Sequence, residues 1–151
     1  MSDILIVLGS RSDEIFLEPL EDIFKQFKIH YEIHFSSAHR NPEGTRQLAE
    51  KAADRGIKII IAGAGMAAHL PGVIASYTTL PVIGVPLPGS HLQGVDALYS
   101  IVQMPGGVPV ACMAIGKAGM KNAALFAAQI LSLSDDALAL AYQEYKSKLA
   151  Q

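Results

Sequence analysis

Tryptophan is absent from this 151-residue chain, cysteine occurs once, and charged residues make up 17 % of it against roughly 25 % in an ordinary soluble domain. One cysteine cannot form an internal disulfide, which excludes a cross-linked secreted framework. Cys112 lies in the apolar run 108–115, so a buried thiol in a reducing cytosol is expected. The N-terminus leads from Met1-Ser2-Asp3 straight into an apolar strand pattern. It has neither a basic leader nor a small-residue cleavage site, and secretion is not expected. Twelve Lys+Arg against 14 Asp+Glu give a net charge of −2, without the clustered basic footprint of a nucleic-acid binder. A hydrophobic content of 50 % argues against disorder.

The shortage of charge is local. Residues 57–133 contain only Lys58, Asp96, Lys117 and Lys121, and 59–95 contain none at all. A membrane span would need about 20 uninterrupted apolar residues, but Gly63, Gly65, Pro71, Gly72, Pro81, Gly84, Pro86, Pro88 and Gly89 break the stretch. The alternative is surface hidden in an oligomer, so a cytoplasmic, self-associating domain is expected.

The length fits one domain with a full core. Residues 4–8 form an apolar run closed by Gly9, the mark of a strand buried on both faces. Asp13 is placed to cap a helix with Ile15, Phe16, Leu20, Ile23, Phe24 and Phe27 on its apolar side; Pro19 within that pattern predicts a late start or a kink. Further strands are expected over 30–36, 57–62, 81–85 and 108–114. Further helices are expected over 42–55, opened by Asn41-Pro42 and closed by Gly56, and over 67–76, 94–102, 119–131 and 135–149. Strict alternation predicts a three-layer α/β/α sandwich with a flavodoxin-like parallel sheet, whose ligands bind beyond the carboxyl ends of the strands where the strand order reverses.

The loops after the first three strands carry the polar groups worth naming. Ser10, Ser12 and the backbone N–H groups of the first can cradle a phosphate or cap the following helix. Asp13 can accept hydrogen bonds from a ribose diol or cap its own helix. In the second loop the Arg40 guanidinium suits a phosphate, though taken alone a solvated arginine is the simpler account, and His39 is of the one residue type whose ordinary titration range suits a proton shuttle near neutrality. The third loop holds Gly63-x-Gly65-x-x-Ala68 but follows the wrong strand, with no ribose-binding acid downstream, so a nicotinamide site is not supported. Gly116-Lys117 lacks both the first glycine and the Ser/Thr of a phosphate-binding loop. His30 and His34 on one strand would stand about 13 Å apart, too far for one metal ion, and His91 is expected on the surface.

Taken together, Gly-Ser-x-Ser-Asp at 9–13, Ser-Ala-His-Arg at 37–40, Ala-Gly-Ala-Gly-x-Ala-Ala-His-Leu-Pro-Gly at 62–72 and Ser-Ile-Val-Gln-Met-Pro-x-Gly-x-Pro-Val at 100–110 closely resemble the PurE family. So do Ala-Ile-Gly-Lys-Ala-Gly at 114–119 and Asn-Ala-Ala-Leu at 122–125, and the likeness runs over 4–131. The resemblance implies an isomerase of purine biosynthesis, free of cofactor and metal, that moves a carboxylate from the exocyclic nitrogen of an aminoimidazole ribonucleotide to ring carbon C4. It implies a proton-handling role for His39, phosphate contacts from Ser10, Ser12, Ser37 and Arg40, and ribose contacts from Asp13. Ala64, Gly65, His69 and Leu70 would face the base and carboxylate, His69 as a packing or positioning residue. A homo-octamer is implied, with the helix at 135–149 packing in the assembly. The family's second class carboxylates the ribonucleotide with free CO2; Arg40 and His69-Leu70-Pro71 resemble the mutase class. A noncatalytic flavodoxin-like binding protein is the rival from another function class. Met66 stands where the pattern has glycine, and would be strained if the backbone there takes positive φ.

Overall fold

The computed structural model describes residues 1–150. Five strands, β1 (Ile4–Leu8), β2 (Tyr31–Phe35), β3 (Ile59–Gly65), β4 (Val82–Leu87) and β5 (Ala111–Cys112), form one parallel sheet in the order β2-β1-β3-β4-β5. That is the expected flavodoxin-like order, with the reversal between β1 and β3. Helices α1 (Glu18–Phe27), α2 (Pro42–Glu50), α3 (Leu70–Ser76), α4 (Val95–Val102), α5 (Lys117–Ser132) and α6 (Asp136–Leu149) complete the chain.

Side chains alternate across a strand, so each central strand feeds two cores. Ile4, Ile6 and Leu8 of β1, Ile59 and Ile61 of β3, and Ile83, Val85 and Leu87 of β4 pack with Leu20, Phe24 and Phe27 of α1 and with the alanine-rich face of α5. Leu5, Val7, Ile60, Ala62 and Val82 point the other way, onto Ala49, Leu70, Ile74, Ala97 and Ile101 of α2, α3 and α4. β1 is buried along its whole length, as a continuous apolar run requires. Helix α6 docks on the first of these layers through Tyr142 and Tyr145, whose rings lie 5.9 and 5.7 Å from that of Phe27. The Tyr31 hydroxyl donates to Glu21 at 3.0 Å, tying β2 to α1; burial and that carboxylate push its pKa up to about 12.

Several boundaries differ from expectation. Residues Arg11–Phe16 form a 3-10 helix capped by Ser10 rather than by Asp13; the late start of α1, with Pro19 in its first turn, is the one that proline predicts. The change of helix type rotates Ile15 out of the apolar stripe, leaving it 69 % exposed. β2 omits His30, and α2 gives way to a 3-10 turn, Ala53–Arg55, that ends at Gly56 with φ +85°. α3 begins only at Leu70, after a tight turn in which the His69 N–H donates to the Ala67 carbonyl. β3 and β4 run two or three residues further than expected, whereas β5 shrinks to two residues: Pro109 supplies no ladder N–H on an edge strand. Cys112 therefore sits at the sheet edge and is only partly buried; that burial still raises its thiol pKa.

Ile61, on the central strand β3, has no exposed surface. Ile61→Ala should lower unfolding stability by about 2–5 kcal/mol in urea titrations, the range for a buried isoleucine whose neighbours cannot collapse into the space.

Candidate active site

Register brings the first three strand ends to one line. Leu8 pairs with Phe35 on one side and Gly63 on the other. The pairing continues one step beyond the strands: the Gly9 N–H donates to the Gly63 carbonyl at 3.0 Å, and the Ser36 N–H to the Leu8 carbonyl at 2.9 Å. A Cβ at Gly63 would stand 2.7 Å from Met120 Cε and 2.9 Å from Leu8 Cδ2, so a larger residue there requires those side-chain ends to move.

Beyond this line the loops turn by side-chain capping. Ser10 Oγ accepts from the Ser12 N–H at 3.3 Å and lies 3.0 Å from Ser12 Oγ, which holds both hydroxyls at the start of the 3-10 helix. The two serines of the second loop part company. Ser36 turns inward to a 2.8 Å hydrogen bond with Thr45, both buried, while Ser37 stays at the site and accepts from the Arg40 N–H at 3.2 Å. Asn41 caps α2 by accepting from Gly44 at 3.1 Å, so the 37–41 turn is fixed at both ends. Arg40 is exposed and has no carboxylate partner among the described residues, so its donors are open to an anion. Arg11 is occupied otherwise, stacked 4.6 Å over the Phe35 ring.

All ten residues singled out from the sequence line one cavity of about 510 Å³: Ser10, Ser12 and Asp13 from the first loop, Ser37, His39 and Arg40 from the second, Ala64, Gly65, His69 and Leu70 from the third. Sequence reasoning missed two features of it. Gly89, from the loop after β4, also lines the cavity; β4 lies beside β3 and its following Pro88-Gly89 was the available signal. The second is a contact, His39 Nε2 to His69 Nδ1 at 2.7 Å, with the rings edge-on at 79°. His91 is exposed, as expected.

The histidine contact restricts protonation. One nitrogen must donate and the other accept, so the pair can share one bridging proton, but two imidazolium ions would set N–H against N–H. His69 is held by its backbone, its N–H donating to Ala67 at 2.8 Å immediately before α3. Burial raises the Asp13 carboxyl pKa above its ordinary value, opposed by a smaller contribution from the Ser10 backbone N–H. Among the described residues no three His, Cys, Asp or Glu side chains cluster as a metal site, and no helix is long and apolar enough to cross a membrane.

The family model for AIR carboxylase matches residues 3–151. The chain is 54 % identical to the N5-carboxyaminoimidazole ribonucleotide mutase of Saccharolobus solfataricus, over 92 % of this chain and 87 % of that protein. It is 53 % identical to the mutase of Bacillus subtilis, over 97 % and 90 %. The crystal structure of Treponema denticola PurE superposes with a TM-score of 0.86 at 33 % identity, covering 98 % of this chain and 91 % of that one.

A raised pKa in the fold means that Asp13 folds more easily protonated than charged. The penalty is absent below the ordinary carboxylate range, where the group is neutral folded or unfolded, and is full above its raised folded pKa. Asp13→Asn should therefore melt at a higher temperature than wild type at pH 7, by a margin that closes as pH falls through the Asp13 titration. Since the group is half-exposed, screening keeps the margin small. Thermal melts from pH 3 to 8 would show it; a margin that widens on acidification would reverse the assignment.

Proposed function

This chain belongs to the AIR carboxylase family, and we propose that it is an N5-carboxyaminoimidazole ribonucleotide mutase of purine biosynthesis, producing 4-carboxy-5-aminoimidazole ribonucleotide. The observation that carries this reading is the convergence of His39, His69, Arg40, Asp13 and the serine loops in one cavity at the sheet's switch point.

Proton arithmetic matches the histidine pair. Loss of CO2 from the exocyclic nitrogen consumes one proton, and carboxylation at C4 releases one, so a single proton lent and returned closes the cycle. His39 is the residue in this reading that lends and recovers it. His69 positions the His39 ring and tautomer through the 2.7 Å contact. No redox change or group activation is required. What the site must supply is proximity: CO2 held beside C4 gains an effective concentration that solution cannot reach.

Ser10, Ser12, Ser37 and Arg40 are assigned to the phosphate, with hydroxyls and a guanidinium free of internal carboxylates. Asp13 is assigned to the ribose hydroxyls, and Ala64, Gly65, His69 and Leu70 to the base and its carboxylate. Anchoring the phosphate well away from the reacting carbon lets binding energy orient the ring. The enzyme is read as cofactor-free and cytoplasmic.

A homo-octamer, with α6 contributing to its contacts, is the proposed assembly. Support comes from the apolar side chains that one chain leaves in water: Leu92, Val95, Tyr99 and Val102 on and before α4, and Leu140 and Leu149 on α6, are each more than 40 % exposed. Sedimentation at micromolar concentration should give a species near eight times the 16.1 kDa chain mass; a monomer would overturn the assembly.

The activity test uses purified protein and the carbamate substrate, without ATP, biotin or added metal, at low bicarbonate. C4-carboxylated product is expected. Product formed only from the uncarboxylated ribonucleotide at high bicarbonate would make the enzyme a carboxylase instead. His39→Asn should lower kcat by about 10²–10⁴-fold with the fold intact, since His39 is exposed. Arg40→Ala should raise KM by about 10- to 100-fold, the loss expected for charged hydrogen bonds to phosphate. Unchanged turnover in His39→Asn would remove it from the proton transfer.

A further inference from the structure

Met66 takes backbone φ of +56°, a left-handed conformation that glycine enters freely and a residue with a Cβ enters at a cost. Its side chain is also 63 % exposed, an unfavourable place for a thioether. The turn itself does not call for methionine. Gly65 ends β3 in register with Leu87, the Ala67 carbonyl accepts from the His69 N–H, and α3 starts four residues later, so glycine at 66 would carry the same path without strain. Strain of this kind gathers at functional sites where the surroundings enforce it, and Met66 lines the cavity that holds the histidine pair.

No other lining residue offers a long, free apolar side chain. Leu70 is 2 % exposed and locked in the core, Ala64 and Ala67 are too short to reach across an opening, and His39 and His69 are engaged with each other. Methionine is unbranched and flexible, and its sulfur packs well on flat rings.

We propose that Met66 is the apolar cover of the base end of the cavity, folding over the bound ribonucleotide so that CO2 released from the carbamate is recaptured at C4 before it reaches solvent. The proposal rests on the mutase reading above. The N–CO2 bond breaks as the exocyclic nitrogen gains a proton; the C4–CO2 bond then forms as C4 gives its proton up. Atoms, charge and protons balance, and CO2 is the one component free to escape.

The experiment runs the reaction on unlabelled carbamate in carbon-13 bicarbonate and measures label in the product per turnover. Met66→Ala keeps the Cβ and its backbone constraint but removes the cover, and should raise labelling about threefold or more over wild type, with free aminoimidazole ribonucleotide accumulating. Met66→Leu, still long and apolar, should stay near wild type. Equal labelling in Met66→Ala and wild type would overturn the cover while leaving the mutase reading in place. A wild type that forms no C4-carboxylated product would overturn both. A readout independent of any variant is peroxide oxidation of the wild-type protein followed by peptide mass spectrometry. Saturating aminoimidazole ribonucleotide should slow Met66 sulfoxide formation about threefold or more, and an unchanged rate would overturn the proposal.

Discussion

Everything at the candidate site depends on the backbone ladder that β1 shares with β2 and β3. Leu8 is in register with Phe35 on one side and Gly63 on the other, and the ladder extends to Gly9 and Ser36 before the chains diverge. Three loops distant in sequence therefore begin side by side, those after β2 and β3 each one strand spacing from the loop after β1. Because β1 is the strand at which the winding direction reverses, the helices after β1 and β2 leave on opposite faces and open a crevice between their loops. The two cores hold this line from both sides: sliding β1 by one residue would exchange the side chains facing the α1–α5 layer with those facing α2, α3 and α4. Packing deep in the sheet thus fixes where Ser10, His39 and His69 emerge.

Within the crevice, electrostatic roles separate by distance from the core. Arg40 and the two capping serines lie in loops that point their polar groups at solvent, suited to an anion that remains partly hydrated. Asp13 is partly buried, and burial makes its charge costly. A ligand supplying hydroxyl donors to such a carboxylate would offset that cost. The histidine pair lines the same cavity, with one ring nitrogen donating to the other at 2.7 Å.

Much of this was legible in the sequence because strands buried on both faces announce themselves as apolar runs, and the runs at 4–8 and 59–62 could be placed without knowing their partners. The sheet order followed from the alternation of elements. Departures came where local chemistry outranked periodicity. Ile15 fits a helical stripe but lies in a 3-10 turn, and Val108 to Ala114 reads as a strand but carries Pro109 at an edge. Ser36 and Ser37 are neighbours of one residue type, yet Thr45, nine residues after Ser36, takes the first hydroxyl into the core and leaves the second at the site. The approach of His39 to His69 had no sequence signal, because it depends on how two loops from different strands lean together.

The uncharged span at 57–133 joins the cavity to exposed apolar surface through the loop after β4. Gly89 lines the cavity, and Leu92, Val95 and Tyr99 follow it into solvent within ten residues. Between them Gln93 at φ +51° and Gly94 at φ +92° turn the chain into α4. A neighbouring chain seated on the Leu92 to Tyr99 stripe would bury apolar surface and, by the same contact, fix the wall of the cavity at Gly89. In the proposed assembly, low charge in this half of the chain would serve two ends at once: it would favour association, and it would leave the base end of the cavity with little charge to attract water.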